Sequence, residues 1–236
     1  ADDCDLLVDA SDRRSWYYQF QVTPERAASQ VFGPARPLAD FSGFAAAAGL
    51  PEGRYHPALA TMAQGDHNAC EYAQDAHINL LRSAGCARPV ELVRARGPVP
   101  RGPCWEGVVI DDHFTVYQTP KHGAGGRGVE RAAAVRAASS RAYAAANAVG
   151  KDAKEIVGAS TATVIGAEVR GREGVVGAPR SRRGALVCIT LALVRRGVGT
   201  RDMVRRLVAC WVAVLLYRRP LLAELEAVGG PRNEHL

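Results

Sequence analysis

A chain of 236 residues, 47% hydrophobic and 23% charged, is long enough for one sizeable core, or for one domain with a small helical annex, and it reads as globular. Its formal charge of +6 is unevenly spread: five aspartates fall within the first twelve residues, whereas residues 170–206 hold ten arginines against two acids, Glu173 and Asp202. Six cysteines without a CxxC pair argue against a zinc site and, at this length, against a disulfide framework; the longest apolar stretch, eleven residues at 207–217, is too short to span a bilayer, and the start lacks a signal-peptide pattern.

In chain order, Leu6-Leu7-Val8 is a short apolar run ending at Asp9 and predicts a buried strand over residues 6–10. Residues 11–22 carry the aromatics Trp16, Tyr17, Tyr18 and Phe20, and Thr23-Pro24-Glu25 is a helix start with proline in the first turn. Gly33-Pro34 marks a turn, and residues 53–61 read as a strand or an extended arm. After the turn at Gly65-Asp66, a helix is expected over residues 69–84 with Tyr72, Ala76 and Leu80 on one stripe. Residues 106–117 read as strand, tight turn and strand, with Asp111-Asp112 at the bend. A glycine-rich, mobile segment is expected at 121–128, an alanine-rich helix at 129–149 and a small hairpin from 161 to 176. Two helices close the chain, at 181–196 and 200–217, the second buried and started by Thr200 and Asp202. Most of the cysteines are expected to be core thiols in a reducing compartment.

The paired carboxylates carry the chemistry. Two like charges at a hairpin tip repel one another, and a divalent cation offsets the repulsion. A third carboxylate on a neighbouring strand, Asp12 or Asp9, would complete a two-metal clamp of hard oxygen donors suited to Mg2+ or Mn2+ and to phosphoryl transfer. Taken alone, an Asp-Asp turn between strands is also a common surface feature. The basic end fits either a polyanion track or a solvated face.

Four blocks in order resemble the palm of reverse transcriptases, closest to divergent forms in the retroelements of protists such as dinoflagellates, over about residues 5–228. The first is Asp12-Arg13-Arg14-Ser15-Trp16-Tyr17, in which the resemblance makes Asp12 a metal ligand and Tyr17, five residues on, the aromatic that excludes a 2′ hydroxyl. The second, Met62-Ala63-Gln64-Gly65-Asp66-His67-Asn68, resembles the turn leading into a helix under the template base pair, so that Gln64, Gly65 and Asn68 would bind substrate. His67 and His77 are not expected to ligate metal. The third, Val109-Ile110-Asp111-Asp112, supplies the principal ligand Asp111 and a weaker one, Asp112, with Val109 standing where the family usually has an aromatic. The fourth, Lys151-Asp152-Ala153-Lys154 followed by Ile165-Gly166, resembles the lysine-bearing segment and primer-grip hairpin; Lys154, with the better spacing to Gly166, would neutralise triphosphate charge or protonate pyrophosphate.

The resemblance implies an α+β fold: an antiparallel palm sheet with helices on one face over residues 1–176, then a helical thumb-like region over 177–236. Arg180, Arg182, Arg183, Arg195, Arg196, Arg205 and Arg206 would grip phosphates there. It also implies deoxynucleotidyl transfer to a primer 3′ hydroxyl with Mg2+ or Mn2+, an RNA or DNA primer-template and dNTP as partners, and work in cytoplasm or nucleus. The abrupt start and the lack of most of a fingers region predict a piece of a larger polyprotein or complex. The alternative is an inactive palm remnant acting as a nucleic-acid-binding or structural subunit.

Overall fold

The computed structural model describes residues 3–95, 97–122 and 125–225. Its strands are β1 (Cys4–Asp12), β2 (Arg36–Pro37), β3 (Arg54–Tyr55), β4 (Cys104–Val109), β5 (Asp112–Pro120), β6 (Ile156–Ala159), β7 (Thr161–Val164), β8 (Ala167–Arg170) and β9 (Val175–Gly177). Its α-helices are α1 (Pro24–Ala28), α2 (Ala69–Ser83), α3 (Arg127–Ala145), α4 (Arg180–Arg196) and α5 (Arg201–Leu215). The principal sheet is antiparallel, in the order β4-β5-β1-β6.

Strand periodicity sorts this sheet into two chemically different faces. Along β5, burial alternates strictly: His113, Thr115 and Tyr117 are buried, while Asp112, Phe114 and Val116 are only partly so. The buried set faces α2 and α3, where Val108, Leu81, Val135 and Tyr143 form the main core and Cys104, Tyr117 and Ala132 a second cluster. On the opposite face, Val8, Ala10, Phe114 and Val116 meet the meander β7-β8-β9 through Ala162, Val164 and Val169. Fully burying a Leu or Val contributes roughly 1.5–3 kcal/mol, so these few large side chains carry much of a core that is otherwise alanine-rich.

Small residues set how closely the layers approach. The inward stripe of α3 is Gly128, Ala132, Val135, Ser139 and Tyr143, spaced as helical geometry demands. A Cβ on Gly128 would stand 2.3 Å from the Gln118 carbonyl oxygen. Thus the glycine expected to confer mobility at 121–128 instead lets the first turn of α3 lie against β5; positions 123 and 124 lie outside the described residues.

Helix starts follow their local signals: Thr23 and Thr200 each accept a hydrogen bond from the backbone N–H three residues on. Other expectations need correcting. β1 runs on to Asp12, because its partner β5 continues beside it. The buried stripe of α2 is Ala69, Ala73, His77 and Leu81, and Tyr72 is exposed. The polar His77 takes a core position because both its ring nitrogens find partners there. Residues 161–177 form three strands rather than a hairpin, and only Arg54–Tyr55 of residues 53–61 is strand. All six cysteines are free, but only Cys86 and Cys104 are buried; Cys188 and Cys70, the latter in the first turn of α2, are exposed. α5 buries Val214 and partly Leu207, Cys210 and Trp211 against α4, but leaves Met203 and Val212 exposed, because α4 covers one side only. No helix among the described residues is long and apolar enough to cross a membrane.

Gly171 joins the meander to the sheet: its carbonyl accepts from Leu6 N, and a Cβ on it would lie 1.8 Å from the Leu6 oxygen. A Cβ on Gly107 would meet the Phe114 ring at 2.1 Å. We expect Gly171→Ala to destabilise by about 1–3 kcal/mol or more, as overpacking against immovable backbone does. Gly107→Ala should cost a similar amount but be partly rescued by Phe114→Leu, which a second-site change at Leu6 cannot do for Gly171→Ala. Urea unfolding of the four variants checks this, and an unchanged midpoint for Gly171→Ala would show that the two sheets are not so tightly joined.

Candidate active site

The site is built where β1, the β4–β5 hairpin and the segment after α3 meet. In β1, the odd residues Leu7, Asp9 and Ser11 belong to the helix-covered face and the even residues Val8, Ala10 and Asp12 to the other. This parity separates the two candidate acids. Asp9 is bound on the helix side by Arg136 at 2.7 Å, by the Tyr117 hydroxyl at 3.1 Å and by Gly158 N at 2.7 Å, so its carboxylate is held in structural bonds. Asp12 lies on the opposite face and is the direct register partner of Asp112.

Asp111 and Asp112 are not equivalent. Val109 pairs with Asp112, leaving Ile110 and Asp111 as a two-residue loop. Asp112 therefore begins β5, while Asp111 projects from the tip; its carbonyl accepts from Arg13 N at 2.9 Å, tying the tip to the residue after Asp12. Val109 is exposed on the same face as Asp112.

Electrostatics mark the cluster. Burial pushes the Asp112 carboxyl above the usual carboxylate value, and the neighbouring Asp111 and Asp12 push it further than Lys154 and Lys151 pull it back. Burial also works against an ionised Asp12, but hydrogen bonds from Lys154 and Lys151 outweigh it and hold that carboxyl below its usual value. Lys151 Nζ lies 2.9 and 3.2 Å from the two Asp12 oxygens, and Lys154 Nζ lies 2.5 Å from one of them. The short 3-10 turn Asp152–Lys154, with Lys151 N bonded to the Asp12 carbonyl at 3.0 Å, brings both ammoniums to one carboxylate. Lys151, which the fourth block contains but which spacing to Gly166 ranks behind Lys154, joins Lys154 at the Asp12 carboxylate. Among the described residues, no three His, Cys, Asp or Glu side chains are gathered closely enough to form a ready metal-binding group.

The other site residues are dispersed around this centre. Tyr17 packs partly against the main core, and its hydroxyl shares a 3.1 Å hydrogen bond with Cys70 Sγ. That bond, burial and the charge of Asp111 push the Tyr17 phenol up to about 12. Gln64 and Gly65 are exposed, Gly65 with φ +99°, a conformation glycine adopts without strain. Asn68 occupies the position before α2, but its side chain makes no capping bond. Both ring nitrogens of His77 are bound to protein groups, the Ile110 carbonyl and the Tyr143 hydroxyl.

Arg180, Arg182, Arg183, Arg195 and Arg196 of α4 and Arg205 and Arg206 of α5 are all exposed. Arg180 pairs with Glu173 at 3.1 Å and Arg206 with Asp202 at 2.8 Å. Arg182, Arg183, Arg195, Arg196 and Arg205 have no ion-pair partner among the described residues.

No protein-family model and no curated protein matches the sequence. Among solved structures, the chain is similar to the foamy viral protease-reverse transcriptase dRH in complex with ds DNA, with a TM-score of 0.56 at 10% identity over 94% of this chain and 31% of that one. Weaker similarities are to the foamy viral protease-reverse transcriptase with an RNA/DNA hybrid, with a TM-score of 0.48 at 11% identity over 76% and 18% of the two chains, and to telomerase from Candida albicans, with a TM-score of 0.40 at 8% identity over 98% and 41%. The chain thus spans less than a third of the length of the foamy viral chains. An antiparallel sheet backed by helices on one face and followed by a helical region, together with the first of these similarities, gives the chain a reverse transcriptase-like α+β fold.

Proposed function

We propose that the chain is the catalytic palm, with part of the thumb, of a reverse transcriptase-type polymerase that adds deoxynucleotides to a primer 3′ hydroxyl. The observation that carries this reading is the pairing of Asp12 with Asp112 across β1 and β5 beside the Asp111 turn, on the sheet face away from the helices. Hard carboxylate oxygens within mutual electrostatic reach fit a hard dication, and the raised Asp112 carboxyl is the signature of charge that such an ion would offset. Asp12, Asp111 and Asp112 would hold Mg2+ or Mn2+, which when bound lowers the pKa of the attacking hydroxyl and stabilises the leaving pyrophosphate. Lys154, and with it Lys151, stands beside Asp12, where an ammonium meets triphosphate charge and can protonate the leaving group. Tyr17 would close the site against a 2′ hydroxyl, with Gln64, Gly65 and Asn68 on the nucleotide and template side.

A primer-template of RNA or DNA is the partner that fits the unpaired arginines of α4 and α5, and the similar foamy viral structure was determined with ds DNA. Deoxynucleotide triphosphate as substrate, a divergent protist retroelement as origin, a larger parent protein and a cytoplasmic or nuclear setting rest on the sequence blocks. A second reading, a palm remnant that binds nucleic acid without chemistry, is favoured by one feature: Asp12 is already neutralised by two ammoniums.

Primer extension with Mg2+ or Mn2+ separates the two readings. Asp111→Asn should lower incorporation at least about a hundredfold while leaving salt-dependent binding of primer-template nearly intact; equal incorporation by the variant would remove Asp111 from the chemistry. Tyr17→Ala should raise ribonucleotide incorporation relative to deoxynucleotide by about 10–100-fold, and unchanged discrimination would refute the gate.

The acids also make a prediction about stability. An acid whose folded pKa is raised destabilises the fold above that pKa, and the penalty fades as pH falls through it. Asp112→Asn should therefore stabilise the metal-free protein by about 0.5–1 kcal/mol near neutral pH, with the gain shrinking in acid. Asp12→Asn should do the reverse, because its lowered pKa contributes stability above the unfolded value that is lost on acidification. Denaturant midpoints at pH 7 and pH 4 with a chelator give the comparison.

A further inference from the structure

The turn that carries Asp111 is strained. Ile110 is β-branched and sits at φ +53°, in the left-handed region where such residues are genuine outliers. A strained conformation persists only where its surroundings over-determine it. Here the surroundings are side chains from outside the hairpin. Gln74 of α2 accepts from Ile110 N at 2.7 Å and donates to the Val108 carbonyl at 3.0 Å, so one amide closes both sides of the bend. His77 Nδ1, one turn further along α2, donates to the Ile110 carbonyl at 2.7 Å.

His77 is fully buried, and burial first, against its bond to Ile110, lowers its pKa to about 4. The ring is therefore neutral, with its proton on Nδ1, and Nε2 accepts from the Tyr143 hydroxyl of α3 at 2.7 Å. Tyr143 in turn lies under the Arg13 guanidinium, 3.9 Å from its ring centre, and Arg13 N binds the Asp111 carbonyl. Trp16 Nε1 donates to the Ala73 carbonyl at 3.0 Å and pins α2 to the segment that follows Asp12.

Cys70, Gln74, His77 and Leu81 are spaced by four, three and four residues, which places them on one stripe of α2. The first of them touches the Tyr17 hydroxyl, the next two hold the acidic turn and the last anchors the helix in the core.

We propose that Gln74 and His77 are positioning residues for Asp111, with Tyr143 orienting His77, and that the Cys70–Leu81 stripe of α2 sets the acidic turn and Tyr17 as one unit. This rests on the polymerase reading for its functional consequence, though not for the brace itself. A displacement of about 1 Å at a reacting group can cost on the order of a hundredfold in rate, so a brace of this kind acts on turnover more than on substrate affinity.

Changes at two positions test it. Gln74→Met matches the side-chain length but removes both hydrogen bonds. His77→Asn keeps a donor near the Nδ1 position, whereas His77→Leu removes it. Amide hydrogen exchange at Ile110 reads the brace without any catalysis, and single-turnover primer extension reads its consequence. In Gln74→Met, Ile110 protection should fall at least about tenfold, and kcat should fall about 10–100-fold with KM for the deoxynucleotide and primer-template affinity within about twofold. His77→Asn should retain most of the activity that His77→Leu loses.

Unchanged Ile110 protection in Gln74→Met overturns the brace. Lost protection with kcat within twofold of the parent overturns its positioning role. If the parent chain itself incorporates nothing, the polymerase reading fails, and the brace is decided by Ile110 exchange alone.

Discussion

Two aspartates facing each other across a pair of strands impose the constraint around which the site is built. Asp12 and Asp112 are register partners, and Asp12 is only 5% exposed. Like charges so placed are unfavourable, and the chain answers in two ways. Two lysines, one just before a short 3-10 turn and one at its end, converge on Asp12, whereas Asp112 is left with a raised carboxyl and only the distant help of the same lysines. An acid neutralised by protein beside one that is not makes an asymmetric centre.

The second constraint is the parity of the strands. Because side chains alternate, β1 sends Asp9 into the helix-covered layer and Asp12 to the other side. The first of these becomes a half-buried structural ion pair with Arg136, supported by Tyr117 and Gly158. The helix-covered layer holds other polar groups too: Glu106 and His113 pair at 2.9 Å between β4 and β5, while Glu106 Oε2 and the Thr115 hydroxyl are buried there without a hydrogen-bond partner. The same layer supports the bend of the hairpin, through residues that never reach the open face.

Beyond β9 the chain changes character. α4 and α5 share one small cluster, Ala178, Leu186 and Val214, and leave Val187, Leu191, Val194 and Met203 exposed among their arginines. Such a thin helical pair gains little from its own core. Its polar links to the rest include Arg180 N to Glu168, the Arg180 guanidinium to Glu173 and the Tyr217 hydroxyl to the Gly166 carbonyl. That suits a region whose surface chemistry matters more than its interior.

Local patterns were sufficient for several of the elements. Apolar runs broken by Gly, Pro and Asp set the β4–β5 hairpin, Thr23 and Thr200 set helix starts, the turn at Gly65-Asp66 set the start of α2 and an alanine-rich stretch set α3, because each is decided by forces within a few residues. The Asp12 and Asp111-Asp112 blocks were legible for the same reason, as short motifs on such elements. What no local pattern carried was long-range pairing. The register that opposes Asp12 to Asp112, the arrival of Lys151 beside Lys154, and the choice of His77 over Tyr72 for the buried side of α2 all depend on groups dozens of residues apart. A buried polar side chain is stable only when its partners are already in place, and only the folded chain puts them there.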